Sequence, residues 1–185
     1  MREKTDFPVS NTRQLLEPGP IVLISSAHNR EQNIMTMGWH MMMEYTLIGC
    51  YIWDQNYSRH LIEKSGECVI NIPTVELIEK VIDIGNMHHV PKEKDKFELF
   101  GLTPRPAKKV NVPLIDECYA NIECSLIDKS LIKKYSLFIF EVLHVHIDEQ
   151  ESLPETFHYL GDGQFRIMGD ALKSYKDRFQ PDRLQ

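Results

Sequence analysis

Eight histidines, a scatter of acids beside apolar runs and four cysteines are the groups with which this chain could do chemistry unaided. Their spacing argues against most of it. Glu67, Glu117, Glu123 and Glu141 lie on or next to strand-like runs. No interval singles out an acid/base pair, and solvated acids are common. His88 and His89 are adjacent and point opposite ways on an extended chain. His144 and His146 stand two apart and share one strand face, a spacing that metal ligands use. Two histidines do not make a metal site, and no third ligand is legible nearby, so their default is a structural or surface role. There is no Gly-x-Ser-x-Gly elbow, no Gly-x-Gly-x-x-Gly and no Walker loop. Met41, Met42 and Met43 point to different faces and read as core filling.

What remains is a set of small, amide- and hydroxyl-bearing residues. Asn33-Ile34-Met35-Thr36-Met37-Gly38-Trp39 runs from an extended segment into a turn. Gly38 permits close approach of a ligand to the backbone. Trp39 either stacks on a planar ring or anchors the core. A polar turn follows, Asp54 to His60, in which Ser58 precedes a short helix. Free N–H groups at a helix start favour an anion, and Ser58 equally suits a plain N-cap. Each residue is ordinary alone. As an ordered set they suit a flat, phosphorylated cofactor that carries the chemistry itself.

These residues need strands to hold them. Pro18-Gly19-Pro20 is a breaker, after which residues 21–38 read as a hairpin. Thr46 to Trp53 is a third strand, and Arg59 to Ser65 a short helix closed by Gly66. Glu67 to Ile72 is a fourth strand, and the spacing of Val75, Ile78, Val81 and Ile82 predicts a helix stopped by Gly85. Residues 85–113, broken by four prolines, read as a long functional or interfacial loop. Two more strands follow, within Pro113–Ile127 and Tyr135–Ile147, then a polar tail with a turn at Gly161-Asp162-Gly163. Hairpin-like grouping favours an antiparallel barrel over a doubly wound parallel sheet.

The chain has 185 residues, 42% hydrophobic and 26% charged, which fits one domain without disulfide staples. A formal net charge of −6 argues against nucleic-acid or membrane-surface binding, leaving room for a local basic pocket. Cys50, Cys68, Cys118 and Cys124 form no Cys-x-x-Cys pair, and they read as reduced thiols of a cytoplasmic protein. Met1 to Val9 is charged rather than apolar, and no run approaches the roughly 20 residues of a membrane span.

Several segments, in order, resemble the flavin reductase-like family, which includes flavoredoxins. They are Gly19-Pro20 with its strand to Ser25, Asn33 to Trp39, Tyr57-Ser58-Arg59-His60 and Ser65 to Pro73. Asp95-Lys96-Phe97 with Gly101-Leu102-Thr103, and Leu137 to Val142, complete the set. The resemblance covers about Pro18 to Phe165 and leaves 166–185 as a tail on a single domain, 1–185. It implies a mainly β fold: a six-stranded antiparallel split β-barrel of Greek-key type with a few flanking short helices. It also implies a homodimer with FMN near the subunit interface. Asn33, Thr36, Met37, Gly38 and Trp39 would line the flavin, Asn56, Ser58 and His60 would lie near the phosphate, Lys96 would reach in from the long loop, and Phe165 would cover the ring.

The implied activity is an FMN-dependent oxidoreductase. Electrons from NAD(P)H or a redox partner would pass to a flavin, a metal ion or a protein acceptor, with no catalytic side chain and no resident metal. A flavoredoxin-type carrier with little NAD(P)H turnover, and a non-redox ligand-binding barrel, are the alternatives. The chain departs from the family pattern at Tyr135, where a histidine is common, at Phe140, where glycine is usual, and at residues 85–89. These departures bear on the substrate pocket, and on how a hydride donor binds, more than on the FMN site.

Overall fold

Residues 4–87, 95–149 and 154–168 are described in the computed structural model. The expected six strands are all present: β2 (Val22–His28), β3 (Glu31–Met37), β5 (Leu47–Tyr51), β6 (Glu67–Ile72), β9 (Ala120–Asp128) and β10 (Leu137–Ile147). The structure adds two short members of the same sheet, β1 (Thr5–Asp6) and β4 (His40–Glu44). It also adds two ribbons, β7 (Pro104–Arg105) with β8 (Leu114–Ile115), and β11 (Phe157–Gly161) with β12 (Gln164–Ile167). The helices are α1 (Arg13–Leu16), α2 (Tyr57–Ser65), α3 (Ile78–Asn86), α4 (Lys96–Phe100) and α5 (Ile132–Tyr135). Among the described residues no helix is long and apolar enough to cross a membrane.

Every pairing in the main sheet is antiparallel, in the order β3-β2-β6-β9-β10-β5-β4, with β1 on β10. The side-chain period of two sends Val22 and Ile24 of β2 into the barrel core while Leu23 faces the opposite layer. On β3, Met35 and Met37 point into the barrel and Ile34 points away from it. The second layer consists of α3, α4 and Phe157, so β2 and β3 are covered on both faces. Phe138 and Phe140 stack inside the barrel with ring centroids 6.1 Å apart. Burying each such side chain is worth about 1.5–3 kcal/mol.

On β10 the register with β9 shifts between Val142 and His144. Phe138, Phe140 and Val142 point into the core before the shift, and Val145 does so after it. The extra residue thus reverses the parity and puts His144 and His146 on the outer face. Asn71, part of the Ser65–Pro73 segment, is wholly buried and structural. Its amide donates to the Leu23 carbonyl at 3.0 Å, and its oxygen accepts from Asn121 at 2.7 Å and from the Ile115 N–H at 3.1 Å.

Two local expectations change. Gly85 lies inside α3, which runs on to Asn86, because an isolated helical glycine costs only about 1 kcal/mol and packing repays it. The 85–113 stretch is not structureless: Asp95 caps α4 by accepting from the Glu98 N–H at 3.0 Å. His88 and His89, and positions 169–185 of the expected tail, lie outside the described residues. Gly66 does close α2, with φ 73° at its C-cap, a left-handed conformation that glycine adopts without strain.

Candidate functional site

Among the described residues β3 is an edge strand, paired in the sheet with β2 alone. Asn33, Met35, Thr36, Met37 and Gly38 line the space beside it. Side chains alternate along a strand, so a cavity touched by consecutive residues runs along the backbone edge rather than over one face. The open edge therefore offers main-chain N–H and C=O groups to whatever occupies that space.

The larger part of this space is a cleft of about 720 Å³. Its walls are apolar and aromatic: Ile21, Trp39, Tyr51 and Trp53 from the barrel, Val81 and Ile82 from α3. Tyr159 and Phe165 of the C-terminal hairpin close the far side, and Phe165 packs edge-on against Phe157 at 5.8 Å. Close packing sets the walls. A Cβ at Gly38 would come within 3.0 Å of Ile21 Cδ1, and one at Gly85 within 3.3 Å of Thr36. The Thr36 hydroxyl is already used, donating to the Val81 carbonyl at 2.6 Å and so tying β3 to α3.

At one end the cleft meets a small polar cavity of about 40 Å³, and both are lined by Thr36, Asn56 and Gly85. Asn33, Tyr57 and Lys96 are among the other residues lining the small cavity. Lys96 is buried, with 4% of its surface exposed. Its ammonium donates to the Ile84 carbonyl at 3.0 Å, and no carboxylate among the described residues pairs with it. Burial brings its pKa down to about 8. The same cavity touches the N-terminus of α2, whose N-cap, Asn56, makes no side-chain capping bond. A buried cation without a counter-charge among the described residues, beside an uncapped helix start, suits an anion such as a phosphate. An aromatic slot opening into an anion site fits a planar ring that carries a phosphate.

Nine of the ten residues expected at the site belong to this assembly. Thr36, Met37, Gly38, Trp39, Asn56 and Phe165 line the cleft, and Asn33 and Lys96 line the polar end. Ser58 stands behind Asn33: it is buried and accepts from the Asn33 amide at 2.9 Å. It sits inside α2 rather than capping it. His60 is different. It is exposed on α2, with its ring 6.5 Å from that of Tyr57, and it lines neither cavity.

Sequence reasoning missed Tyr51, Trp53, Tyr159 and most of the α3 wall. A strand ending in two aromatics, Tyr51 and Trp53, was the available signal for the first pair. Nothing local marked the others. Trp39 is 71% exposed although it lines the cleft. It leans on Tyr51 at 5.1 Å and shares the cleft with the exposed Trp53, while Met41 and Met43 are exposed on β4.

The Flavin reductase like domain pattern matches residues 15–167 of this chain. An uncharacterized protein of Archaeoglobus fulgidus is 34% identical over 139 residues, covering 74% of this chain and 77% of its own. Another, from Pyrococcus abyssi, is 33% identical over 132 residues, covering 70% and 74%. Among solved structures, the FMN-binding domain of a flavin reductases-like enzyme from Shewanella baltica superposes with a TM-score of 0.86 at 23% identity, covering 94% of this chain and 98% of that one. Flavoredoxin of Desulfovibrio vulgaris gives 0.74 at 22% identity, over 86% and 92%. The domain match spans both the split barrel and the hairpin that closes its cleft, and this chain belongs to the flavin reductase-like family.

Proposed function

We propose that this chain binds FMN along the β3 edge and works as an FMN-dependent oxidoreductase. It would take electrons from NAD(P)H or a redox partner and deliver them to a flavin, a metal ion or a protein acceptor. The observation that carries the reading is Lys96: a buried ammonium without a carboxylate partner among the described residues, beside an uncapped helix start, at the polar end of an aromatic cleft. The domain match and the FMN-binding domain that shares this fold support it.

Bound FMN would supply the electron- and hydride-accepting chemistry. The chain's own residues bind and orient. Lys96 and the first N–H groups of α2 hold the phosphate, Ser58 fixes the Asn33 amide that faces the same cavity, and Trp39, Tyr51 and Phe165 confine the ring. No side chain in the cleft needs to act as a general base. None of the four cysteines is in a disulfide and all are buried, and burial pushes the Cys50 thiol far up, which keeps it unreactive and suits a reducing cytoplasm.

The working form is a homodimer that covers the exposed Trp39, Met41, Met43 and Trp53 beside the edge strand β4. An apolar patch of this kind marks an interface. Mixing the FMN-loaded protein with NADH or NADPH in a stopped-flow instrument tests the activity. Bleaching within seconds is expected of a reductase. An unreduced cofactor at millimolar nicotinamide would leave only the carrier role fed by a protein donor.

A further inference from the structure

The parity change on β10 places His144 and His146 together on the outer face of the barrel, with their rings 4.6 Å apart. β1 pairs with the same stretch, setting Asp6 directly opposite His146. Directly paired residues share a face, so three ligand-bearing side chains converge from positions some 140 apart in sequence. One donor atom from each lies within 4.8 Å of the others. His144 Nε2 donates to Asp6 Oδ1 at 3.1 Å, a proton that a bound ion would displace. Two ligands of one tetrahedral zinc, each about 2.1 Å from the ion, stand roughly 3.3 Å apart.

The surroundings support this trio as metal ligands. Glu123 of β9 is fully buried and accepts from the backbone N–H groups of Lys108, Lys109 and Val110. Three N–H donors aimed at its two oxygens are the surroundings of a carboxylate. A carboxylate only accepts, so His146 Nε2, at 2.6 Å, must carry the proton and donate. Nδ1 is thereby the lone-pair nitrogen of a ring fixed by a carboxylate, the support that metal-bound histidines characteristically have. A cation already occupies the rim: the Lys108 ammonium sits 2.5 Å from Asp6 Oδ1. Lys108 and Asp6 are both exposed, so the ammonium can swing away and Asp6 can rotate inward.

We propose that Asp6, His144 and His146 form a binding site for a first-row divalent cation of the Zn²⁺ or Ni²⁺ class, oriented by Glu123 and gated by Lys108. Two imidazoles and one carboxylate suit these ions and leave one coordination position to water. The ion clips β1 to β10 and so fastens the N-terminal segment to the barrel. None of these residues lines the flavin cleft.

Equilibrium dialysis of the purified full chain against micromolar ZnCl₂, with metal counted by mass spectrometry, tests the proposal. One Zn²⁺ per chain is expected, accompanied by a rise in melting temperature. Asp6→Ala and His144→Ala should each weaken binding at least about tenfold. Both residues lie at the surface edge of the fold, and circular dichroism confirms that the variants are folded. Lys108→Ala should tighten binding by about 1.5- to 5-fold, the worth of an exposed ion pair. Absence of stoichiometric zinc would overturn the proposal. So would binding that survives intact in His144→Ala, because the metal would then sit on other histidines.

Discussion

Replacing Lys96 with methionine keeps the length and apolar body of the side chain and removes only its charge. In the FMN-free chain the ammonium is a burden. Burial lowers its pKa from 10.5 to about 8, which corresponds to roughly 3 kcal/mol against the charged form. In the FMN complex the same ammonium would face a phosphate, and a charge-assisted hydrogen bond is worth about 1.5–3 kcal/mol. Lys96→Met is therefore expected to act with opposite signs. FMN affinity falls by about 10- to 150-fold, while the FMN-free protein becomes more stable by up to roughly 3 kcal/mol at pH 7.

The pH dependence follows with a definite sign. The unfolded chain keeps the Lys96 proton to about 10.5, and the folded FMN-free chain releases it near 8. Stability of the parent therefore rises between about pH 8 and 10.5, an increment absent from Lys96→Met. The phosphate restores the ammonium, so FMN binding near pH 8 takes up protons and weakens as pH climbs beyond it. Isothermal titration in two buffers of different ionisation enthalpy, with parent and variant, measures affinity and proton uptake together. Equal affinity in the two proteins, or proton uptake that persists in the variant, would refute the reasoning.

Three further outcomes are expected. Ser58→Ala leaves the buried Asn33 amide without its acceptor, which costs about 1–3 kcal/mol in urea unfolding and weakens FMN binding; unchanged stability would count against the pairing. Gly38→Ala pushes a methyl to within 3.0 Å of Ile21 and should cost about 1 kcal/mol in a thermal melt while loosening the ring slot; a neutral result would mean that Ile21 moves aside freely. Trp39→Ala, at an exposed aromatic residue, should raise the dissociation constant of the proposed dimer roughly 30-fold by sedimentation, as for an interface anchor worth about 2 kcal/mol; an unaltered association would place the interface elsewhere.

The six long strands were legible because their apolar runs and bounding glycines and prolines are local signals. The α2 stop at Gly66 was legible for the same reason, since a single residue supplies the left-handed turn. The end of α3 was misplaced at Gly85, where contact with Thr36 holds glycine inside the helix. The backbone side of the site, Asn33 to Trp39, could be found because it lies on one continuous strand and turn. The opposite wall could not: Tyr159 and Val81 meet Trp39 only after the hairpin and α3 fold over β3. His60 was carried along by a segment whose Asn56 and Tyr57 line the cavities, although helical geometry turns it to solvent. The third ligand beside His144 and His146 was invisible for the plainest reason. Asp6 lies at the other end of the chain, and only strand pairing brings it there.

The central claim is that the aromatic cleft and its buried lysine hold FMN. Titrating the purified, flavin-free chain with FMN while following the visible spectrum and flavin fluorescence tests it most directly. Saturable binding of one FMN per chain at micromolar or lower concentration, with a shifted flavin band, is expected. An unperturbed FMN spectrum at tens of micromolar protein would contradict it.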